Sequence, residues 1–251
     1  MPHLLLIDIG NTHTHLGLAN GRKVLRHSHF PTLAWLDSTA LKALNRFVAG
    51  HEIIGAALCS VVPKVTRLAN RTLKSRWGIS ALQLTASTVS GIGINYPKPH
   101  TIGPDRLANA MAVKHHYGAP SIVVDFGTAV TFDIVDRNGD YVGGVISPGL
   151  SAMTDYLHEK TALLPRIKIR EARSAIGKNT EEAMIIGAVH GYRGLIQGIL
   201  SELKRELKSD SLPVVATGGY ASLMARRLPD ITAVEPCLTL EGLRLLYAGQ
   251  K

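Results

Sequence analysis

Apolar residues in the first 28 positions come in short runs of strand type, interrupted at "GNT" and at Asn20-Gly21. This pattern predicts three short strands, and the Asn-Gly pair favours a tight hairpin turn. The apolar periodicity then predicts a helix over about residues 35–48. The run "IIGAALCSVV" is apolar on both faces, which is typical of a strand covered on both sides. Pro63 marks the start of a second helix, which extends to about residue 77.

A long loop is predicted over residues 87–103, which follow a short strand in "ALQLT" and are rich in glycine, serine and proline. Long loops in compact domains are usually functional. Pro104 and Asp105 then begin a helix that Gly118 ends. Farther along, the pattern predicts helices over about residues 149–160 and 179–208, a strand in "LPVVATGG", a short helix in "ASLMARRL" and a last helix in "TLEGLRLLYA".

The stretch "SIVVDFGTAVTFDIVDRNGDYVGG" repeats the pattern of the N-terminal residues: an apolar run, Asp-x-Gly, threonine, an alternating strand and a glycine-containing turn. The matched positions are Asp8 with Asp125, Gly10 with Gly127, Thr12 with Thr128, and Asn20-Gly21 with Asn138-Gly139. Such a repeat indicates a duplicated architecture. The sequence therefore predicts two α/β domains, residues 1–117 and 118–251, each with a mixed sheet, and a cleft between them.

Composition places the chain among ordinary globular proteins. Its 251 residues are 45% hydrophobic, which is enough to close a core. No stretch approaches the roughly 18 to 20 apolar residues of a membrane span. The N-terminal residues lack the basic region of a signal peptide, so the expected location is the cytoplasm. Cys59 and Cys237 show no metal-ligand spacing and are expected to be reduced core residues.

The formal net charge of +9 suggests an anionic partner. However, the basic residues come in small groups, "RTLKSR", "RIKIREAR" and "KRELK", and only 5% of the residues are aromatic. No aromatic-interleaved stripe for stacking bases is visible. Solvated helix faces together with a site for a small anion are therefore the favoured interpretation, and neither nucleic acid nor a membrane is expected as a partner.

The two Asp-x-Gly turns are the main candidates for chemistry. An Asp at the end of a strand aims a carboxylate out of the sheet, and a glycine two residues later lets the backbone approach a ligand. Two facing copies would hold a polyphosphate with its cations. The alternative is that each Asp only caps a turn. The chain has neither a P-loop nor a dinucleotide fingerprint, and Gly218-Gly219 in "ATGG" is by itself a weak signal of nucleoside binding.

"GPDR" supplies the groups that phosphoryl transfer to an alcohol requires. Asp105 can orient and deprotonate a hydroxyl, and Arg106 can balance negative charge. A purely structural role, with Asp105 as a helix-dipole residue and Arg106 at the surface, is about as well supported by these residues alone.

Taken in order, "DIGNT", "GPDR", "DFGTAVTFD", "GGVISPGL" and "ATGG" resemble the type III pantothenate kinases of bacteria. The resemblance covers nearly the whole chain. It implies an actin-like ATPase fold of two duplicated ribonuclease H-like α/β domains, in the superfamily of sugar kinases, Hsp70 and actin. It also implies ATP-dependent phosphorylation of pantothenate to 4'-phosphopantothenate, the first step of coenzyme A biosynthesis.

The resemblance also implies roles for particular residues. Asp105 is the expected general base. The expected substrate contacts are Tyr96, Gly103, Pro104, Arg106 and, from the partner subunit of a homodimer, Thr180. The expected ATP-binding residues are Asp8, Gly10, Asn11, Thr12, His13, Thr128, Gly218 and Gly219. Mg²⁺ would accompany ATP near Asp8, directly or through water, and a monovalent cation, K⁺ or NH₄⁺, would lie at Asp125. The second domain, with the long helix from about residue 179, would carry the dimer contact.

His13, His15 and Tyr220 depart from the family pattern. His13 and His15 share one face of a strand, where they could contact phosphate or a metal or could be structural. Two alternative functions stay open. One is a non-catalytic regulatory or nucleic-acid-binding accessory factor of the same fold, which the basic charge would suit. The other is a kinase for a different small alcohol, because a fold alone does not define a substrate.

Overall fold

The computed structural model describes residues 2–37 and 39–249. Contacts between residues divide the chain into two compact units. The first unit contains the residues up to His116, the segment Gly139–Val142 and the residues from Cys237 onward. The second contains Tyr117–Asn138 and Gly143–Pro236. No described helix combines the length and the apolar character needed to cross a bilayer.

The first unit is built on a five-stranded sheet. Its strands are β1 (His3–Ile9), β2 (His13–Ala19), β3 (Val24–Pro31), β4 (Ile53–Ser60) and β5 (Leu82–Gln83). Its helices are α1 (Thr39–Val48), α2 (Pro63–Trp77), α3 (Pro104–Tyr117), whose last residue belongs to the second unit, and α7 (Leu238–Ala248), which is last in the chain. A short strand, β6 (Gly93–Ile94), and single 3₁₀ turns at Thr32–Trp35 and Pro99–Thr101 complete the first unit.

The strand order of this sheet is β3-β2-β1-β4-β5. β1 pairs antiparallel with β2 and parallel with β4, so it is central and apolar on both faces. In this register Asp8 lies opposite His15 on β2 and opposite Cys59 on β4. These three side chains therefore share one face of the sheet.

The core of the first unit lies between this sheet and helices α1 and α2. Leu5, Ile7 and Leu58 from the sheet are fully buried there. Leu44 from α1 and Leu73 from α2 pack in the same cluster. The helices thus use their apolar faces for the core and leave their polar faces in solvent.

The second unit repeats this plan. Its strands are β7 (Ser121–Phe126), β8 (Ala129–Val135), β9 (Asp140–Pro148), which begins in the first unit, β10 (Val214–Thr217) and β11 (Ala233–Val234). Its helices are α4 (Leu150–Lys160), α5 (Thr180–Leu207) and α6 (Ala221–Ala225).

Strand order confirms the duplication. The second sheet has the order β11-β10-β7-β8-β9-β6. Apart from β6, this is the order of the first sheet when β7 is matched with β1, and β7 likewise pairs antiparallel with β8 and parallel with β10. The mixed α/β fold with two related sheets is therefore as the repeat predicts.

The structure corrects two local predictions. The predicted helix over residues 35–48 begins only at Thr39, after a 3₁₀ turn, because the Asp37 carboxylate accepts hydrogen bonds from both the backbone N–H and the hydroxyl of Thr39. Ser38, inside the predicted range, lies outside the described residues. The predicted loop over residues 87–103 contains β6, which pairs with Asp140 and Tyr141 at the start of β9.

The last helix, α7, groups with the first unit, although the predicted second domain includes it. Leu240 of α7 packs at Gly17 of β2, where the absence of a side chain leaves room for it. A Cβ at Gly55 would overlap the Tyr247 side chain, and one at Gly242 would overlap the backbone of Ala108. Three glycines therefore allow α7 to lie close to β2, β4 and α3.

Candidate active site

The first phosphate motif is a turn fixed by Thr32. The Gly10 N–H donates to the carbonyl oxygen of His13 at 3.0 Å. The Thr32 hydroxyl donates to the carbonyl oxygen of Gly10 at 2.7 Å, and the Thr32 N–H donates to that of Thr12 at 2.9 Å. These bonds hold the backbone of the turn, while the residues Asn11, Thr12 and His13 are exposed at its tip.

A buried thiol supports Asp8 at the end of β1. Cys59 is fully buried, and its Sγ donates to Oδ1 of Asp8 at 3.3 Å. Burial and then the negative charges of Asp8 and Asp105 raise the pKa of the Cys59 thiol well above its ordinary value. The Cys59 thiol therefore stays protonated and donates a hydrogen bond to Asp8. It is also close enough to both carboxylates to be affected by their negative charges. Sequence reasoning missed this role because the residue reads as one more apolar position of β4.

Asp105 lies in the first turn of α3 and is half-buried. Loss of solvent raises its pKa, against the opposing effects of the Arg106 backbone N–H, which donates to Oδ1 at 2.9 Å, and of the Arg106 charge. Gly103 makes room for the carboxylate, because a Cβ at that position would lie 2.5 Å from Oδ1 of Asp105. Gly103 and Arg106 of "GPDR" therefore both act on the surroundings of the Asp105 carboxyl group.

Tyr141 connects two of the predicted substrate contacts. The Arg106 guanidinium lies 5.9 Å from the centroid of the Tyr141 ring, and the rings of Tyr96 and Tyr141 meet edge to face at 6.2 Å. The pairing of β6 with β9 places Tyr96 here, since the Asn95 N–H donates to the Tyr141 carbonyl oxygen at 2.9 Å. The sequence predicts Tyr96 and Arg106 but not the buried Tyr141, whose contacts depend on this distant pairing.

A pocket of about 600 Å³ with both polar and apolar lining residues lies in the first unit. Ser60, which follows Cys59, and Pro104, which precedes Asp105, both line it. Its size falls in the range of small-molecule sites. The residues that supply polar atoms to its wall include Ser60, Gln83, Thr85, Ser87 and His100.

The second phosphate motif reproduces the first within the second unit. The Gly127 N–H donates to the carbonyl oxygen of Ala129 at 3.1 Å, as Gly10 does at its own turn. Asp125 is the residue before the last of β7 and is half-buried, and Thr128 is exposed at the turn. The Gly149 N–H donates to the Thr128 carbonyl oxygen at 3.2 Å, an approach that a Cβ at Gly149 would block.

Of the two adjacent glycines in "ATGG", only Gly218 is held tightly. Its φ is 88°, and a Cβ there would lie 2.6 Å from Oδ1 of Asp125. At Gly219 a Cβ would meet nothing within 4 Å. Gly218 therefore belongs to the same site as Asp125.

Tyr220 is a departure from the family pattern. Its hydroxyl lies 2.7 Å from the Ser151 hydroxyl at the start of α4.

Thr180 is the first residue of α5. Asn179 caps this helix by accepting from the Glu182 N–H at 2.9 Å, and Glu182 in turn accepts from the Lys178 N–H at 2.8 Å. Thr180 lines an apolar pocket of about 840 Å³ between α4 and α5, together with Met153, Tyr156, Leu157 and Met184. Neither Asp125 nor Thr128 lines this pocket.

The histidines of the β2–β3 hairpin form a cluster next to the first turn. Ring centroids are 5.4 Å apart for His13 and His29, 5.7 Å for His15 and His29, and 6.4 Å for His13 and His15. Loss of solvent, then the charges of His29, His13 and His27, lower the pKa of His15 to about 4. His15 is therefore neutral at physiological pH and offers no positive charge to a phosphate.

The carboxylates of the site suit a metal ion that is bound together with the phosphates of a substrate. Within residues 2–37 and 39–249, no three His, Cys, Asp or Glu side chains are placed to hold an ion by themselves. Mg²⁺ is commonly bound by only one or two carboxylates together with substrate phosphates and water. A carboxylate such as Asp8, at the end of a strand beside a turn of exposed polar residues, fits that requirement.

The predicted residues thus gather in two sets, one in each unit. The first unit holds Asp8, Gly10, Asn11, Thr12, His13, Tyr96, Gly103, Pro104, Asp105 and Arg106, and the second holds Asp125, Thr128, Thr180, Gly218 and Gly219. Two related mixed sheets, each with an Asp-x-Gly turn at the end of its central strand, are the features of the actin-like α/β fold.

Comparison with known proteins supports this fold and shows the family of the chain. An inorganic polyphosphate/ATP-glucomannokinase from Arthrobacter sp. strain KM superposes with a TM-score of 0.53 at 15% identity, over 100% of both chains. Residues 4–202 match the family described as type III pantothenate kinase, and the chain belongs to that family. It is 45% identical to the type III pantothenate kinase of Akkermansia muciniphila, over 96% of each chain. It is 41% identical to that of Methylacidiphilum infernorum, over 97% of this chain and 87% of the other.

Proposed function

We propose that this protein phosphorylates pantothenate with ATP, and that Asp105 is the general base. Membership of the type III pantothenate kinase family supports the substrate pair and the reaction, which begins coenzyme A biosynthesis. The hydroxyl oxygen of pantothenate bonds to the γ-phosphorus of ATP while the bond from that phosphorus to the β,γ-bridging oxygen breaks and ADP leaves. The hydroxyl proton moves to a carboxylate oxygen of Asp105.

The environment of Asp105 is the observation that supports its role. Its pKa is raised by loss of solvent, so the carboxylate is a stronger base than one in water. Arg106 balances negative charge at the same helix start. Gly103 and Pro104 shape the backbone around the carboxylate, and a cavity that borders Pro104 offers space for the acceptor.

Tyr96 and Arg106 are proposed to contact the acceptor. Their shared packing on Tyr141 limits the rotamers that both side chains can take. A substrate contact with restricted rotamers loses less conformational entropy when the substrate binds. Tyr141 is thus proposed as a support for these two residues.

The two turns are proposed to bind ATP. In the first unit the residues are Asp8, Gly10, Asn11, Thr12 and His13, and in the second they are Thr128, Gly218 and Gly219. A kinase uses ATP together with a divalent metal ion, which neutralises charge on the β- and γ-phosphates. Asp8 would hold Mg²⁺ directly or through water. Asp125 would hold a monovalent cation, K⁺ or NH₄⁺, since carboxylate and hydroxyl oxygens are the donors that hard cations prefer.

The active form is proposed to be a cytoplasmic homodimer in which Thr180 reaches the partner's substrate. The apolar pocket at Thr180 supports this arrangement, because several large apolar residues around it are solvent-exposed in the single chain. Exposed fractions are 61% for Tyr156, 40% for Leu157 and 36% for Met153. A second copy that covered them would remove this apolar surface from water.

Replacement of Asp105 by asparagine tests the proposal. The amide keeps the shape but cannot accept the proton, so the rate of pantothenate phosphorylation should fall by at least about 100-fold while ATP binding persists. Glu52→Gln, which removes an exposed carboxylate of the same unit, is the control and should leave the rate unchanged. Wild-type-like turnover by Asp105→Asn would remove Asp105 as the base. A wild-type protein that phosphorylates other alcohols but not pantothenate would overturn the substrate assignment.

A further inference from the structure

The positive charge of this protein is concentrated in one part of the chain. Residues 1–104 contain eleven lysines and arginines against three acidic residues, a formal charge of +8. The remaining residues contain seventeen basic and sixteen acidic residues and are almost balanced. Between Glu52 and Asp105 there is no acidic residue at all. A charge this asymmetric is an indication of an anionic partner for the first unit.

Helix α2 arranges part of this charge as a stripe. Lys64, Arg67, Arg71 and Lys74 are exposed and follow at intervals of three, four and three residues, which places them on one face of the helix. The stripe is about 15 Å long, since an α-helix rises about 1.5 Å per residue. No acidic residue lies on α2, and within the described part of the chain no carboxylate pairs with the four cations.

Helix α1 continues the positive surface. Nε of Arg76, near the end of α2, donates to Oδ1 of Asn45 on α1 at 3.4 Å, so the two helices are neighbours. Lys42 and Arg46 of α1 are exposed, and α1 also lacks acidic residues. The stripe therefore lies at the edge of a wider basic surface.

We propose that the α2 stripe, Lys64, Arg67, Arg71 and Lys74, binds the phosphate backbone of nucleic acid without reading its sequence. The Cβ atoms of successive residues on the stripe lie about 5 to 6 Å apart, as those of helical neighbours do, so their charged groups are close together. Unpaired like charges at this distance repel each other. A row of phosphates relieves this repulsion and releases condensed counterions, which favours association. Duplex DNA serves as the probe, because the stripe has no aromatic side chain on which single-stranded bases could stack.

The composition of the stripe face argues against a membrane as the partner. A surface helix that binds a bilayer inserts an apolar face between the head groups. The apolar residues Val65, Ala69 and Leu73 of α2 are buried in the core of the first unit, and Leu68 and Trp77 pack partly buried against it. The side chains that α2 exposes along the stripe are charged. They can pair with phosphates, but they form no apolar face that could insert into a bilayer.

Fluorescence anisotropy with a labelled duplex DNA of about 20 base pairs tests the proposal on the full chain. Four phosphate contacts predict a log–log salt slope near −3.6, or a loss of affinity of about 100-fold between 50 and 200 mM salt. The triple variant Arg67→Gln, Arg71→Gln, Lys74→Gln should reduce the slope to about −1. Its pantothenate kinase activity should be unchanged, because none of the three residues belongs to the candidate active site.

A matched control removes the same charge elsewhere. Arg166, Lys168 and Arg170 are exposed in the second unit, and their combined replacement by glutamine gives the same net charge. This control should bind DNA as the wild type does. Equal weakening by both triple variants would overturn the proposal, since net charge alone would then explain binding. A wild-type slope weaker than −1 would overturn it too, as would binding to phosphatidylserine vesicles with none to DNA.

Discussion

Replacement of Gly218 by alanine would test how the second phosphate motif is held together. Gly218 follows β10 and approaches the end of β7, with φ at 88°. An added Cβ would lie 2.6 Å from Oδ1 of Asp125 and 2.7 Å from both the backbone N and the carbonyl carbon of Phe126. Backbone atoms of a central strand cannot move aside as a flexible side chain can. The substitution must therefore shift the carboxylate that is proposed to bind a cation.

Two separate effects contribute to the expected destabilisation. A non-glycine residue at positive φ costs about 1–2 kcal/mol. The steric overlap adds an overpacking term of about 1–3 kcal/mol. The free energy of unfolding should thus fall by about 2–5 kcal/mol, and the KM for ATP should rise because Asp125 is displaced.

Two other glycines separate these effects. Gly91 has φ of 74° but nothing within 4 Å of a Cβ, so Gly91→Ala should lose only the conformational term of about 1–2 kcal/mol. Gly219 has open space and no positive φ, so Gly219→Ala should change stability by less than about 0.5 kcal/mol. Urea unfolding followed by circular dichroism measures the free energy of unfolding of each variant. Steady-state kinetics measures its KM for ATP. If Gly218→Ala lost no more stability than Gly91→Ala and kept a normal KM, the role assigned to the close approach would be refuted.

Three further predictions concern groups buried or crowded in the two units. Cys59→Ser keeps a donor to Asp8 and should retain most activity, whereas Cys59→Ala should raise the KM for ATP several-fold. His15 should titrate at about 4 by NMR, and His29→Ala should raise that pKa by removing a neighbouring charge. Because the folded state favours neutral His15, its contribution to stability is full above pH 6.5 and is lost as the pH falls towards 4. Since the side chain keeps contact with solvent, the loss should be about 1 kcal/mol. Arg193→Met should destabilise the second unit by about 3 kcal/mol, because it leaves Glu171 without its bidentate partner.

Each of these has a distinct contrary outcome. Equal effects of serine and alanine at position 59 would mean that the thiol only fills space. A normal pKa for His15 would mean that the histidine rings are not packed as described. A fully stable Arg193→Met variant would show that the ion pair contributes little beyond the cost of its own desolvation.

Features encoded by local signals could be predicted from the sequence. The Asp-x-Gly turns, the Asn-Gly hairpins and the apolar runs define the strands of both units, and their repetition reveals the duplication before any coordinates. Asp105 and Arg106 could be singled out because they share one short motif. In each case the residues that carry the signal are close together in the chain.

Features that depend on distant pairing could not be predicted in this way. Tyr141 meets Arg106 and Tyr96 only because β6 pairs with the start of β9. Cys59 reaches Asp8 through the parallel register of β4 with β1, a register that no local pattern specifies. The association of α7 with the first unit depends on glycines 17, 55 and 242, which lie on β2, on β4 and on the helix itself.

Because Cys59 is buried, the reaction of its thiol with a reagent can report local opening of the sheet in the first unit. A thiol reagent can react only with a solvent-accessible thiolate, and the fully buried Cys59 is kept protonated in the native state. Cys237 is only partly buried and should be labelled sooner. The slower labelling rate, followed with and without ATP, would measure how often β1 and β4 separate around Asp8. The change in this rate on addition of ATP would give the change in the free energy of local opening. Because Cys59 is a native residue, no labelling site has to be introduced by mutation.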